Sequence, residues 1–189
     1  MKNLRNLITL FFCTALVSTT VLAQDRMNEK TVMVGGAAMY PSKNIVENAV
    51  NSKDHTTLVA AVKAAELVEV LQGKGPFTVF APTNDAFAKL PKGTVETLLK
   101  PENKETLQKV LTYHVISGKY NAKDIVAMIK KGDGKATFKT VSGAKLYATW
   151  EGNSVVLWDE NEGKSTVTIA DVNQSNGVIH VIDAVVLPK

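Results

Sequence analysis

Hydrophobic residues recur along this chain at two spacings, and the change between them comes near Gly134. Before that point most apolar side chains return every three or four residues, which is typical of helices with one buried face. After it apolar and polar residues alternate, which is typical of half-buried strands. This order, helices first and strands last, predicts an α+β domain with a mostly antiparallel sheet wrapped by helices.

The helical part is divided by Pro and Gly residues and by capping residues. Ser42 is predicted to cap a first short helix, and Asn121 the last one. The wide apolar stripe of residues 58–71 predicts a single helix that is mostly buried. The predicted helices are 44–50, 58–71, 85–90, 95–100, 102–112 and 122–131.

Strands are predicted where β-branched and aromatic residues cluster between turn residues. Pro76 and Pro82 bound an early strand, and the pair Gly152-Asn153 predicts a tight hairpin much later in the chain. The predicted strands are 77–81, 113–117, 136–141, 145–151, 154–159, 166–172 and 178–187.

The N-terminus has the organisation of a secretory signal. Lys2 and Arg5 precede an uncharged apolar stretch, and Ala23 follows where signal peptidase would cut. The stretch is shorter than the roughly 20 residues that a membrane span needs, so cleavage is favoured over an uncleaved anchor. We therefore expect a secreted or periplasmic protein that is cleaved after about Ala23. The predicted organisation is a signal peptide at 1–23, an N-terminal arm at 24–44 and one domain at 45–189.

Composition narrows the chemistry that this domain can carry. The single cysteine, Cys13, lies inside the predicted signal, and the bulky Phe12 before it argues against lipid attachment. The mature chain then has no thiol for disulfides, metal binding or catalysis. Loss of Lys2 and Arg5 lowers the basic residues from 22 to 20 against 18 acidic ones, a net charge of +2. Because the lysines are scattered, we expect no nucleic-acid surface.

The sequence predicts no cofactor, no metal site and no catalytic site. Its three histidines are far apart and lack the paired spacing of metal ligands. The acidic stretch 159–163 departs from the calcium-loop pattern at its fifth position and is interpreted as a solvated hairpin loop. Residues 142–145 fit Ser-x-x-Lys, but they form a turn between strands and lack companion motifs.

The histidines have structural interpretations. His114 and His180 lie in apolar segments, and each is predicted to be a core histidine with a hydrogen bond rather than a pH switch. His55, just before a predicted helix, is expected to be an exposed loop residue.

Three separated segments together resemble the fasciclin domain. Residues 77–87 are similar to the first homology box of that family, and 113–116 to its Tyr-His motif. Residues 176–183, with 185–188, are similar to its second box at the end of the domain. The resemblance implies a fasciclin-type, wedge-shaped β-sandwich with an N-terminal helical layer.

Within these boxes the residues have plain structural roles. Thr83 and Asp85 are expected to bond free backbone N–H groups at the next helix start, and Gly177 to relieve a tight turn. Val178, His180 and Ile182 are expected on one strand face. The residues singled out as structural are Thr83, Asp85, Tyr113, His114 and His180.

The resemblance also implies a function. Fasciclin proteins are extracellular or surface-attached, mediate adhesion or other contacts, and have no common catalytic machinery. The expected partner is an extracellular or cell-surface protein or polysaccharide, and we expect a monomer or weak oligomer without a membrane span. The alternative function is that of an extracellular carrier of a small apolar ligand, a carotenoid or a lipid, as in some relatives from photosynthetic organisms.

One candidate contact is the pair Asp124-Ile125. It resembles an Asp-Ile element proposed in the family to contact integrins. The competing interpretation is that Asp124 stabilises the helix N-terminus while Ile125 packs inward.

A second candidate is the aromatic hairpin, which holds both tryptophans of the chain. Counting across its turn pairs Tyr147 with Trp158 and Trp150 with Val155, so the two tryptophans lie on opposite faces. One face must meet the core, and the other is either covered or free to present an aromatic side chain to a sugar, lipid or protein. The sequence leaves that choice open.

Overall fold

The computed structural model describes residues 29–189, so the predicted signal peptide and the start of the arm lie outside it. The helices are α1 (Ile45–Ala49), α2 (Thr56–Ala64), α3 (Val68–Gln72), α4 (Asn84–Ala88), α5 (Thr94–Leu98), α6 (Lys104–Tyr113) and α7 (Ala122–Lys131). The strands are β1 (Val32–Val34), β2 (Ala37–Met39), β3 (Phe77–Pro82), β4 (Val115–Ser117), β5 (Lys135–Lys139), β6 (Lys145–Glu151), β7 (Ser154–Trp158), β8 (Lys164–Gln174) and β9 (Gly177–Ile182).

Seven strands form one sheet in the order β4-β3-β9-β8-β7-β6-β5. Only β3 and β9 pair in parallel among these strands, so the predicted mostly antiparallel sheet is confirmed. The first residues of β8 pair with β7 and the rest with β9. Register shifts and a positive φ of 59° at Asp171 interrupt β8, and such bulges bend a strand. β8 therefore belongs to both halves of the sheet.

Two apolar clusters fill the space on either side of β3 and β9. Val79 and Ile179 face the helical layer, together with residues from α2, α3 and α6. Phe80 and Ile182 face the other way, toward Leu146 on β6 and the apolar side of α7. The strict alternation along these strands builds both clusters from the same segments. The α+β fold class is confirmed.

The predicted helix at 58–71 is wrong because two helices occupy this segment. α2 ends in a Schellman motif, in which Leu67 N–H donates to Val62 O and Glu66 N–H donates to Lys63 O, both at 3.0 Å. Glu66 takes the left-handed conformation, with φ 55°, where glycine is usual. The apolar stripe hides this break because Val62 and Leu67 both pack in the core.

One helix cap and one strand boundary also differ from the predictions. Asn44 rather than Ser42 caps α1: its Oδ1 accepts from Glu47 N–H at 2.9 Å, and a Glu47 carboxylate oxygen accepts from Asn44 N–H at 2.8 Å. This reciprocal pair is a capping box. The predicted strand at 113–117 begins too early, because Tyr113 ends α6 and β4 begins at Val115.

Candidate functional site

The hairpin of β6 and β7 has the predicted register. Tyr147 lies opposite Trp158, and Trp150 opposite Val155. Leu146 and Leu157 are fully buried, so the face that carries Trp150 meets the core. Tyr147 and Trp158 therefore project from the outer side of the sheet.

The outer side carries a cluster that we call the outer aromatic face, made of Lys135, Tyr147, Thr149, Trp158 and Lys164. The Nζ atoms of Lys135 and Lys164 lie 3.9 and 4.0 Å from the ring centroids of Tyr147 and Trp158. Trp158 Nε1–H donates to Thr149 Oγ1 at 2.9 Å. Cation–π contacts and this hydrogen bond hold both rings in place, and neither ring is fully buried.

A groove of about 600 Å³ runs beside these rings. Its polar wall includes Lys145, Glu160, Glu162 and Lys189. The groove thus offers aromatic surface together with cationic and carboxylate groups, a mixture that suits polar partners with some apolar area.

Asp159, which lines this groove, stabilises the local backbone through its carboxylate. Its carboxylate accepts from the N–H groups of Asn161, Gly163 and Leu187 at 2.7 to 2.9 Å. Asp159 is only 6% exposed. The interpretation of residues 159–163 as a fully solvated loop is therefore wrong for its first residue, which ties the loop to the C-terminal segment.

Trp150 has a different environment from Trp158. It lies on the core side of the hairpin but at its tip, beyond the core, and is 46% exposed. It takes no part in the outer aromatic face.

The structure separates Asp124 from Ile125. Asp124 is exposed, and its carboxylate accepts from Asn121 N–H at 3.0 Å at the start of α7. Ile125 is 1% exposed and packs in the core. The two side chains therefore do not form a joint contact surface, and Ile125 is not available to a partner.

His114 is held by two hydrogen bonds. Nδ1–H donates to Val110 O at 2.8 Å, and Nε2 accepts from Val186 N–H at 3.2 Å. Burial lowers the pKa of His114 to about 4, although the Val110 carbonyl and Asp159 oppose the shift. The neutral ring thus ties α6 to the C-terminal segment.

His180 belongs to a clamp on the loop before α7. Its Nε2–H donates to Tyr120 O at 2.8 Å, and Nδ1 accepts from Asp171 N–H at 3.3 Å. Thr78 Oγ1 accepts from Tyr120 N–H at 2.9 Å, and an Asp171 carboxylate oxygen accepts from Ala122 N–H at 2.7 Å. Burial lowers the pKa of His180. The sequence did not reveal the roles of Thr78 and Asp171, because their partners lie 42 and 49 residues away.

The prediction that His55 is exposed is wrong, since it is only 3% exposed. Nδ1 lies 2.9 Å from Ser52 Oγ, and Nε2 has no hydrogen-bond partner. Burial lowers the pKa of His55. The nearby Ala81 backbone, which is outside hydrogen-bonding geometry, and the charge of Asp54 oppose this shift in part. A single 3-10 turn, Lys53–His55, is too short to show a buried face in the sequence.

His55 lines an apolar cavity of about 110 Å³, which we call the helical-layer cavity. It lies between α1, α2 and α3 and the strands β3 and β9, and Tyr147, Trp150 and Trp158 are not part of its wall. The sequence showed no sign of it, because its lining side chains have the same pattern as ordinary core residues.

In the first homology box, Thr83 caps α4 by accepting from Ala86 N–H at 3.2 Å, as expected. Asp85 is exposed at the first turn, and Asn84 makes the longer-range bonds instead. Asn84 Oδ1 accepts from Thr57 N–H at 3.0 Å, and Nδ2 donates to Lys53 O at 2.8 Å. Asn84 therefore caps α2 from a distant part of the chain, a role that sequence reasoning missed.

In the second box, Asn176 and Gly177 fix the helical layer to the sheet. Asn176 Nδ2 donates to Leu71 O and Gly73 O, and Oδ1 accepts from Ile45 N–H. A Cβ at Gly177 would lie 2.1 Å from Phe77 O. Gly177 is thus needed for close strand approach rather than for the tight turn that was predicted.

Residues 29–189 contain no group of three or more His, Cys, Asp or Glu side chains placed to hold a metal ion. No helix in the same range is long and apolar enough to cross a membrane.

Comparison with known proteins identifies the family to which this fold belongs. A family model, Fasciclin domain, matches residues 53–188. The chain is 49% identical over 170 residues to protein sll1483 of Synechocystis sp., covering 90% of this chain and 87% of that protein. It is 34% identical over 143 residues to immunogenic protein MPB70 of Mycobacterium bovis, covering 73% and 65%. It is 32% identical over 135 residues to human periostin, covering 71% of this chain and 15% of periostin.

A solved structure has the same fold. It is a FAS1 domain pair from the insect cell adhesion molecule fasciclin I, with a TM-score of 0.69 at 19% identity, covering 85% of this chain and 58% of that one. The geometry defines an α+β domain with one nearly closed sheet, a helical layer and an outer aromatic face. The chain belongs to the fasciclin domain family.

Proposed function

We propose that this protein is a secreted or surface-associated, non-catalytic module that mediates adhesion through its outer aromatic face. The observation that carries the proposal is the cross-strand pair of Tyr147 and Trp158, held outward and flanked by Lys135 and Lys164. Oriented aromatic side chains dominate the binding energy of many interfaces. Membership of a family that includes an insect cell adhesion molecule supports the same function.

The partner is proposed to be an extracellular or cell-surface protein or polysaccharide. Both offer the apolar area that stacks on rings and the polar groups that meet lysine and carboxylate side chains. Export through cleavage after about Ala23 would place the module where such partners are found.

The proposal is tested with beads coated with the exported protein, which should begin at Gln24, and applied to cells of the source organism. We expect the double variant Tyr147→Ala/Trp158→Ala to weaken binding about 30-fold, since loss of interface hot spots costs about 2 kcal/mol or more. Trp150→Ala is the matched control, because it removes an exposed tryptophan outside the outer aromatic face. Unchanged bead retention by the double variant, or no retention of wild-type beads, would contradict the proposal.

A second candidate function is that of a carrier of a small apolar ligand, and the helical-layer cavity favours it. The tyrosine and tryptophans of the aromatic hairpin do not line this cavity. An apolar cavity of about 150 Å³ in another protein holds benzene. The present cavity, at about 110 Å³, is therefore of the size of one small ring and would leave most of a carotenoid outside.

A further inference from the structure

The helical-layer cavity has an apolar wall. Leu58, Val62, Leu71 and Val79 are among its buried lining residues. Since such a space has few polar groups to hold water, it favours an apolar occupant.

The cavity also reaches the surface. Val70 lines it and is 51% exposed, while Val46, Val59 and Leu67 line it and are partly exposed. Val46 lies in α1, Val59 in α2 and Val70 in α3, and Leu67 directly precedes α3. A small molecule therefore has an entry path between the three helices.

Among the buried polar side chains that line the cavity, His55 has a ring nitrogen without a hydrogen-bond partner in residues 29–189. His114 also lines the cavity, but both of its ring nitrogens are hydrogen-bonded. Thr112 lines it as well, and its hydroxyl donates to Gln108 O at 2.6 Å. His55 Nε2 is buried and unpaired within residues 29–189, and an unpaired buried nitrogen costs free energy that a ligand could recover.

We propose that the helical-layer cavity binds a small monocyclic apolar molecule bearing one hydroxyl group, which pairs with His55 Nε2. The hydroxyl both donates and accepts, so it matches either tautomer of the neutral ring. The buried part of the wall has no charge to pair with an ionised head group, because Lys63, which also lines the cavity, is exposed. The proposal rests on the carrier function and is independent of adhesion through the outer aromatic face.

The test compares phenol with toluene, two probes of similar shape that differ in one hydroxyl. Binding of each is measured by NMR titration of the protein. In a cavity without a polar partner, the unpaired hydroxyl would make toluene the tighter ligand. We expect His55→Leu to weaken phenol binding about tenfold, the loss of roughly one hydrogen bond, while toluene binding is retained.

Two further variants locate the bound probe. Val59→Phe adds a ring at the partly exposed mouth of the cavity, and we expect it to reduce the binding of both probes. Val50→Ala is the matched control, because Val50 is 49% exposed near the same helices but does not line the cavity. Unchanged binding in Val59→Phe would place the probes elsewhere and overturn the proposal.

Two outcomes distinguish the role of His55 from the carrier function of the cavity. If toluene and phenol bind but His55→Leu leaves their affinity ratio unchanged, the carrier site stands and the role of His55 is overturned. If neither probe binds, the carrier function at this cavity is overturned as well. Neither result affects the proposed adhesion through the outer aromatic face, which the bead experiment tests separately.

Discussion

Gly177 has no side chain, and its absence allows the strands β3 and β9 to approach each other closely. It pairs with Phe77 in the parallel ladder of β3 and β9, and its Cα faces the Phe77 backbone. Backbone atoms cannot move aside as a flexible side chain can.

We therefore predict that Gly177→Ala lowers the free energy of unfolding by more than about 3 kcal/mol or prevents folding, because the added Cβ overlaps Phe77 O. Urea unfolding followed by circular dichroism measures the change. Gly143→Ala is the control: its φ is +90°, but nothing lies within 4 Å of the added Cβ. We expect the control to lose only about 1 kcal/mol, and equal losses in the two variants would refute the explanation.

Among the secondary-structure elements, the break between α2 and α3 depends on Glu66. A residue other than glycine in the left-handed region costs about 1 kcal/mol. The Glu66–Lys104 ion pair at 2.5 Å is at the surface and compensates little.

Glu66→Gly is thus predicted to raise the free energy of unfolding by about 1 kcal/mol, because glycine adopts this conformation without strain. Thermal and urea unfolding both measure this change in the free energy of unfolding. Glu69→Gly provides the comparison, since Glu69 lies in the first turn of α3 and glycine in a helix is destabilising by about 1 kcal/mol. A loss of stability in Glu66→Gly would show that the Schellman motif does not strain Glu66.

The sequence predicted some elements well and others poorly, for physical reasons. Gly152-Asn153 sets the register of β6 and β7, because a two-residue turn leaves one way to pair the flanking strands. The break at Glu66 was missed because the apolar stripe continues through it. His55 was misplaced, and the cavity beside it was missed, because burial there depends on helices and strands that meet only in the folded chain.

At the scale of the whole molecule, buried neutral histidines make stability depend on pH. His114 links α6 to the C-terminal segment, His180 holds the loop before α7, and His55 packs under the helical layer. Burial lowers all three pKa values, so each ring is neutral in the folded protein and takes up a proton more readily when unfolded.

The unfolded state then binds more protons below pH 6.5, and the free energy of unfolding must fall as the pH drops from 6.5 toward 4. For His114 alone we expect a loss of about 2 kcal/mol between pH 7 and pH 5, a window in which most carboxylates stay ionised. Urea unfolding at several pH values measures the slope. NMR titration gives a direct check, because a His114 ring that titrates near pH 6.5 would contradict the prediction.

The bridge between Ile116 and Thr140 brings the two edges of the seven-stranded sheet together. Val141 N–H donates to Val115 O at 2.8 Å across the same seam. Exposed sheet edges are where a second chain adds a strand and starts aggregation. Because its two edges pair with each other along this seam, the sheet leaves fewer unpaired backbone groups to which another copy could add a strand.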